Sequence, residues 1–226
     1  MGIFATVKLY PSGESIMTVI ACLHAAESNI DLYEQSLRAL DEDDIQLLHR
    51  VESDLFAQTQ TESAVTPAIV AATRQAIEAL CQQADAVIVT CTTLGIAVWQ
   101  AEFNKPVLRI DTTLARVAAR YHGNILVLCT ARSTLESTSR LFRAFIPGER
   151  LYVELIPRAW AWFNRGDIAG YHREIARYIL QRPEGMLGCI VLAQASMSGA
   201  EKCINSTLAV LSGPQVSLRA AIEALR

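Results

Sequence analysis

Short runs of apolar residues alternate along most of the chain with segments of helical periodicity. Eight runs have the length and the Val, Ile and Leu content of strands buried on both faces, which is typical of parallel sheets. Parallel strands need crossover connections, and the helical segments between the runs supply them. The alternation therefore predicts an α/β fold. The predicted strands are residues 17–23, 45–50, 86–90, 107–110, 125–129, 151–156, 188–193 and 208–211.

Helix start signals lie between the predicted strands. Thr66 is followed by Pro67, which together provide a side-chain cap and a residue suited to the first helical turn. Ser133 and Glu136 stand at the spacing of a capping box, which predicts a helix that starts after Ser133. Both signals support helical crossovers between the strands.

The order of the elements repeats after about a hundred residues, and so do the polar residues that follow the strands. Alternation is common to all α/β chains, but strand ends that match at a near-constant offset indicate two homologous halves. We therefore expect two similar Rossmann-like lobes, each with a four-stranded, mostly parallel sheet flanked by helices, with the active site between the lobes. The matched pairs are Leu23 with Leu128, Ile45 with Leu151, Cys91 with Gln194 and Asp111 with Ser212, at offsets of 105, 106, 103 and 101.

The repeat also sets the expected domain boundaries. Lobe A is expected at residues 17–113, joined by a C-terminal segment of about 208–226, and lobe B at residues 114–207. Residues 1–16 precede the repeat and are expected to form an N-terminal extension. The sequence from Met17 onward reads as a natural start, which supports that division.

Composition argues against several classes of function. Of the 226 residues, 51% are hydrophobic and 19% are charged, which is typical of a folded domain rather than a disordered chain. The net charge is −3 and no basic cluster stands out, so we expect no nucleic-acid partner. No apolar stretch reaches the roughly 18 residues that a membrane helix needs, so we expect no membrane partner.

Cysteine spacing and nucleotide motifs narrow the chemistry further. No two Cys or His residues stand at the sequence spacing of a zinc site, so we expect no metal. The chain has neither GxGxxG nor GxxxxGK[ST], and no Lys stands where a pyridoxal Schiff base is expected, so we expect no cofactor. Free thiols in apolar runs indicate a reduced, cytoplasmic protein. The six cysteines are Cys22, Cys81, Cys91, Cys129, Cys189 and Cys203.

The ends of the predicted strands carry most of the polar residues of interest. Ligands of parallel sheets bind beyond the carboxyl ends of the strands, so two facing lobes bring their strand ends to one cleft. Hydroxyl groups dominate there, and helix N-termini behind them offer free N–H groups, which suits a small oxygen-rich anion. At matching positions one half carries Cys91 and the other carries Gln194.

The segments TCTTLG at residues 90–95 and LAQASM at residues 192–197 resemble the aspartate/glutamate racemase superfamily. LHAAESN, VLRID and CTARSTLE strengthen this resemblance, which covers residues 17–226. The resemblance implies a cofactor-independent enzyme acting on a small carboxylate, commonly a homodimer. In racemases of the superfamily, two cysteines, one per lobe, remove and return the proton next to a carboxylate from opposite faces.

The first of these two positions matches Cys91, and the second falls on Gln194. An amide does not exchange protons near neutral pH, so the resemblance implies a racemase-like enzyme with a single thiol. That thiol is expected to abstract a proton or to attack as a nucleophile. Decarboxylation followed by protonation, isomerisation through a thioether, lyase chemistry, a Cys-based hydrolase and a non-enzymatic acid-binding protein remain alternatives. We expect a lowered pKa for Cys91, because it follows a strand and begins a helical segment; the alternative is a buried structural thiol.

The resemblance also implies a set of substrate-binding residues. Each hydroxyl among them can instead serve only as a helix cap, and a lone His is often structural. The aromatic stretch with Trp160 and Trp162 can wall the pocket or pack in the core or a dimer interface. The expected binding residues are Thr92, Thr93, Thr130, Thr134, Ser196, His24 and Asn29.

Overall fold

The structure, a computed structural model, describes residues 17–62, 64–182 and 185–226. The expected N-terminal extension at residues 1–16 lies outside the described residues. All eight predicted strands form, with ends within two residues of the prediction. They are β1 (Thr18–His24), β2 (Ile45–Val51), β3 (Ala86–Val89), β4 (Val107–Arg109), β5 (Asn124–Cys129), β6 (Leu151–Leu155), β7 (Leu187–Leu192) and β8 (Ala209–Ser212).

The strands form two four-stranded sheets, and every pairing in both sheets is parallel. The strand orders are β2-β1-β3-β4 and β6-β5-β7-β8, so the two halves have the same topology. This confirms the predicted α/β fold of two similar sheets. Both central strands of each sheet are buried, as expected for sheets covered by helices on both faces.

Helices connect the strands and cover both sheets. Short 3₁₀ segments at Leu94–Val98, Arg132–Thr134, Gly148–Arg150 and Ala195–Cys203 complete the connections. Within the described ranges, no helix is both long and apolar enough to cross a bilayer. The α-helices are α1 (Ser28–Arg38), α2 (Ser53–Thr61), α3 (Pro67–Cys81), α4 (Ile110–Ala119), α5 (Leu135–Arg143), α6 (Ala159–Asn164), α7 (Ile168–Leu180) and α8 (Gly213–Leu225).

The helix cap predicted at Thr66 forms. Thr66 accepts a hydrogen bond from the backbone nitrogen of Ile69 at 3.4 Å, and α3 starts at the next residue, as predicted. The helix expected to start after Ser133 starts at Leu135, one residue later than expected. The side chain of Ser133, on which the expected capping box depends, lies outside the part of the chain that the structure describes. A 3₁₀ turn precedes α5, and the carboxylate of Glu136 accepts from Arg140 at 2.8 Å on the exposed face of the helix.

Strand register shows how the two halves correspond. Leu23 pairs with Val89 in the first sheet, and Leu128 pairs with Leu192 in the second. Cys91 and Gln194 each follow two residues after these paired positions, so they are equivalent, as the sequence repeat predicts. For the predicted pairs Ile45 with Leu151 and Asp111 with Ser212, the strand register shifts the lobe A residue by two positions. The corrected pairs are Leu47 with Leu151 and Arg109 with Ser212.

The last helix of each half packs on the other half. From α8, Leu218, Ala221 and Ile222 pack with Ile20 and Ile88 of the first sheet. The strand before it, β8, pairs with β7 in the second sheet. The expected boundary, which placed all of residues 208–226 with lobe A, is therefore corrected for the strand. We use lobe A for the first sheet with the helices on it, and lobe B for the second.

Helix α4 makes the reciprocal crossing. Although it follows the first sheet in sequence, its residues Leu114 and Ala118 pack with Val127 and Val191 of the second sheet. The expected boundary between residues 113 and 114 thus falls inside a single helix. The starts of α4 and α8 meet closely, since a Cβ added to Gly213 would lie 2.5 Å from Cδ1 of Ile110. This close approach explains the glycine at that position.

Candidate active site

A cavity of about 650 Å³ lies where the strand ends of the two lobes face each other. This volume lies within the range of small-molecule sites. Cys91 and Gln194 both line it, one from each lobe. The rest of the lining consists of Ala25, Ala26, Asn29, Phe56, Thr90, Thr92, Thr93, Ile110, Asp111, Leu114, Ala131, Thr134, Ser137, Thr138, Trp160, Ala193, Ala195, Ser196 and Gly213.

Cys91 follows β3 and is half-buried. Burial raises the pKa of its thiol above the ordinary value of 9.0, and the Asp111 carboxylate adds to the increase. The backbone N–H groups of Leu94 and Thr93 and the Thr93 hydroxyl act in the opposite direction, but more weakly than burial. The expectation of a lowered pKa is therefore wrong. The segment after Cys91 is a five-residue 3₁₀ turn rather than a full α-helix, which limits the favourable field at its start.

Asp111 lines the cavity near Cys91, although the sequence pattern identified it only as a repeat landmark. Its carboxylate is buried and accepts from Arg109 at 2.7 and 3.1 Å and from the backbone nitrogen of Thr112 at 2.7 Å. The sequence signal that could have identified Asp111 as a cavity residue was its position directly after a predicted strand, in VLRID. The bidentate partner fixes this buried carboxylate in place.

Gln194 uses its side-chain oxygen to bind the neighbouring strand end. Oε1 accepts from the backbone nitrogen of Thr130 at 2.7 Å, from the Thr130 hydroxyl at 2.8 Å and from the backbone nitrogen of Ala131 at 3.3 Å. These are donors that the sequence assigned to a substrate carboxylate. Because Oε1 is fully engaged, the amide nitrogen is the group that Gln194 can offer to a ligand.

Thr130 itself does not line the cavity and is almost completely buried. Its hydroxyl also contacts the Tyr171 hydroxyl at 2.8 Å, which in turn lies 3.1 Å from the Ser196 hydroxyl. Ser196 does line the cavity, and its backbone oxygen accepts from His172 at 2.9 Å. Thr130 therefore positions Gln194 and Ser196 rather than contacting a ligand directly.

His24 is the second expected binding residue that lies outside the cavity. It is the last residue of β1 and is fully buried. Its Nδ1 lies 2.8 Å from the Thr90 hydroxyl and its Nε2 lies 2.9 Å from Nδ1 of His49. Burial and the neighbouring His49 lower the pKa of His24 to about 3, so its ring is neutral at physiological pH. His24 reaches the cavity only through Thr90.

The other expected binding residues lie where the sequence placed them, along the cavity. Asn29, Thr92, Thr93 and Thr134 all line it. The Thr134 hydroxyl is also bound internally, because it donates to the backbone oxygen of Ala131 at 2.8 Å. It helps to hold the turn after β5 in the shape that borders the cavity.

Of the two tryptophans of α6, one forms part of the pocket wall and the other packs in the core. Trp160 lines the cavity and stacks on Phe163, with ring centroids 4.8 Å apart. Trp162 packs against the buried core of lobe B, and the Arg165 guanidinium lies 4.6 Å from its ring centroid. Cys129, at the end of β5, is fully buried and does not line the cavity.

The described cavity lining contains no Lys or Arg side chain. Hydroxyls and backbone N–H groups must therefore bind an anionic ligand there. Cys91 is the only thiol among the lining residues. The equivalent position in the other lobe holds the amide of Gln194. The arrangement can transfer a proton from one face of a bound molecule and hold it by hydrogen bonds from the other.

Comparisons with known proteins agree with the fold. The family model described as Asp/Glu/Hydantoin racemase matches residues 23–221. No curated protein sequence gives a significant match. Aspartate racemase from Picrophilus torridus superposes with a TM-score of 0.66 at 12% identity, covering 92% of this chain and 94% of that one.

Two further solved structures have the same fold. Glutamate racemase from Thermus thermophilus has a TM-score of 0.60 at 17% identity, over 93% of this chain and 81% of that one. Allantoin racemase from Pseudomonas fluorescens has a TM-score of 0.62 at 15% identity, over 92% and 90% of the two chains. At these identities, the likeness shows the shared architecture.

Proposed function

Because the chain belongs to the Asp/Glu/hydantoin racemase family, we propose that it is a cofactor-independent enzyme that moves a proton next to a carboxylate from one face only. The family is one of racemase-type isomerases, and this chain is such an enzyme in fold and family. The single observation that carries the proposal is the pair of equivalent positions at the cavity, where Cys91 faces the lobe that supplies Gln194.

Cys91 is the proton-transfer group. Its raised pKa means that the thiol is protonated at neutral pH in the free protein. A protonated thiol is suited to donate a proton to a carbanion or enolate, as after loss of CO₂ or after proton removal. To act as a base, the thiol must first lose its own proton.

Gln194 holds the substrate rather than exchanging its proton. An amide has no group that titrates near neutral pH. The position equivalent to Cys91 therefore supplies no second acid or base on the opposite face of the substrate. Its nitrogen can donate to a carboxylate or to a developing enolate oxygen, a role in which a fixed donor lowers the barrier. The proposed substrate is a small carboxylate bound between this amide and the N–H groups and hydroxyls around Thr92 and Thr93.

Solvent-deuterium exchange, followed by NMR, tests this proposal. The panel consists of the separate enantiomers of amino acids and hydantoins, together with malonates and unsaturated diacids. We expect deuterium to enter only one enantiomer of an accepted chiral substrate, and Cys91→Ala to abolish exchange. Cys203→Ala, which removes an exposed thiol, is the matched control and should exchange normally. Equal exchange into both enantiomers would show a second base and overturn the one-face mechanism.

A non-enzymatic acid-binding protein is the second candidate, favoured by the engagement of Gln194 Oε1 with Thr130. The two candidates differ in turnover. If a panel acid raises the melting temperature and protects Cys91 from alkylation, yet neither exchange nor product is detected, the binding function is supported. Exchange that requires Cys91 supports the enzyme.

We also propose that the protein is a cytoplasmic homodimer. The six cysteines are all unpaired, which supports a reducing compartment. Large apolar side chains on lobe A, Ile96 at 46% and Trp99 at 63% exposure, support burial against a second copy. Light scattering at micromolar concentration should give twice the mass of one chain; a monomer mass would refute the dimer.

A further inference from the structure

Three potential metal ligands meet on one face of the first sheet, behind the cavity. Cys22 and His24 are two residues apart on β1, so their side chains point to the same face. His49 on β2 pairs directly with Cys22. One donor atom from each of the three residues lies within 4.8 Å of the other two. Linear spacing did not reveal this cluster, because one ligand comes from a neighbouring strand.

The hydrogen bonds of the two rings decide where their protons lie. Nε2 of His49 contacts the Glu34 carboxylate at 3.1 Å, and a carboxylate only accepts, so this nitrogen carries a proton. The Thr90 hydroxyl donates to the backbone oxygen of Leu23 at 3.0 Å, so it accepts from Nδ1 of His24. In the tautomers that these contacts select, the lone pair of each ring lies on the other nitrogen.

These two remaining nitrogens, Nε2 of His24 and Nδ1 of His49, face each other at 2.9 Å. Two lone pairs at that distance repel, unless a positive centre lies between or beside them. A metal ion bound by both nitrogens and by the Cys22 sulfur removes the repulsion. Each imidazole already donates its outer N–H group to an oxygen, the pattern that orients histidine ligands around metals.

We propose that Cys22, His24 and His49 bind a divalent transition-metal ion, with zinc as the best-suited metal. Sulfur and imidazole are the donor types that zinc prefers, and three such donors leave one position of its tetrahedral shell open. The side chain of His49 is 14% exposed and that of Glu34 is 38% exposed, which gives an ion a path from solvent.

Comparison of the two lobes shows that the fold does not require these donors. By register, Cys22, His24 and His49 correspond to Val127, Cys129 and Val153 of lobe B. Val127 and Val153 there belong to an apolar cluster. The same architecture therefore forms with packing alone, and the donors of lobe A form an addition to it. A bound ion would fix edge strand β2 to β1 and set the His24 ring that positions Thr90 at the cavity.

Metal binding by the purified full-length chain tests the proposal. Zinc content after dialysis is measured by atomic emission, and Co²⁺ is titrated as a spectroscopic probe. We expect one ion per chain and a thiolate-to-cobalt charge-transfer band. Cys22→Ser should remove the band, and His49→Gln should weaken Co²⁺ binding by more than about 100-fold. Glu34→Gln, which changes only an outer contact, should weaken it by roughly 10-fold.

Two controls address the other thiols. Cys203→Ser and Cys91→Ala should leave the stoichiometry and the band unchanged. If Cys22→Ser does not fold, His49→Gln decides, because a glutamine amide can keep the contact with Glu34. Absence of a stoichiometric site, or a band that depends on Cys91 rather than Cys22, would overturn the proposal. If no stoichiometric site is found, a proton shared between the two histidines accounts for their contact instead.

Discussion

The side-chain oxygen of Gln194 lies 2.7 Å from the backbone nitrogen of Thr130, so an amide of the protein occupies the donors at the end of β5. Thr130 adds its hydroxyl and Ala131 its N–H group to the same oxygen. In the other lobe, the equivalent position holds a thiol. The first half of the repeat thus presents a thiol to the cavity. The second half presents an amide whose oxygen is bound to backbone nitrogens of the same lobe.

Gln194→Ala removes the acceptor for two backbone N–H groups at a buried strand end. Unsatisfied buried donors typically cost about 1–3 kcal/mol, so we expect a loss of that size in the free energy of unfolding, measured in urea. Added acetate should recover part of it by occupying the donors. The exposed Gln82→Ala is the matched control and should change stability by less than about 0.5 kcal/mol. A loss no larger than that of the control would contradict the bonding described.

Alkylation of Cys91 should be slow at neutral pH and accelerate into the alkaline range. The pKa is raised, so the reactive thiolate is the minor form at pH 7, and the rate should rise about tenfold per pH unit below the pKa. Asp111→Asn removes a negative charge that raises this pKa, so the rate profile should move to lower pH. The measurement is iodoacetamide labelling followed by mass spectrometry.

The control for this profile is Glu136→Gln, which removes an exposed carboxylate of lobe B outside the cavity lining. It should leave the midpoint unchanged. A midpoint for the unmodified protein well below the ordinary cysteine value would show that the field of the turn outweighs burial.

Trp160→Ala should enlarge the cavity and admit bulkier acids, because this ring forms part of the wall and is itself partly exposed. Exchange rates across a series of substrates with increasing side-chain size provide the measurement. Trp162→Ala is the contrasting variant: it should leave the size preference unchanged and cost about 2 kcal/mol of stability, less than the ~3–5 kcal/mol of a fully buried aromatic. The same shift in size preference for both variants would refute the division of roles.

Leu218→Ala should destabilise the whole protein by about 2–5 kcal/mol, because Leu218 is fully buried in the core of lobe A. Since α8 starts in contact with Ile110 of α4, which packs on lobe B, both lobes should unfold in one transition. Leu225→Ala, near the end of the same helix and only partly buried, should cost clearly less. Two separate transitions in calorimetry for Leu218→Ala would show that the lobes unfold independently.

The strands were predictable because parallel strands buried on both faces leave continuous apolar runs. The equivalence of Cys91 and Gln194 was predictable for a related reason, since each follows such a run at the same distance. The family match confirms the resemblance that those two segments carried. In each case the information lies within one contiguous stretch of sequence.

Other features depend on contacts between distant segments, which no local pattern encodes. The Gln194 oxygen finds its partners at Thr130, just after a different strand. The raised pKa of Cys91 follows from burial by distant segments rather than from its place at a turn. His24 lies just past the predicted strand at residues 17–23, but in the structure it is the last residue of that buried strand. Its partner His49 comes from β2. Asp111 lines the cavity from the first turn of α4, beside segments of both lobes that are distant in sequence.

The crossing of α4 and α8 has a consequence for the order in which the chain acquires its structure during synthesis. Translation delivers the strands of the first sheet early, but Leu218, Ala221 and Ile222, which close its core, come after all of the second sheet. The first half therefore leaves the ribosome with an uncovered apolar face, and its longest-range contacts form last. Lobe A, although first in sequence, cannot mature before lobe B has been made.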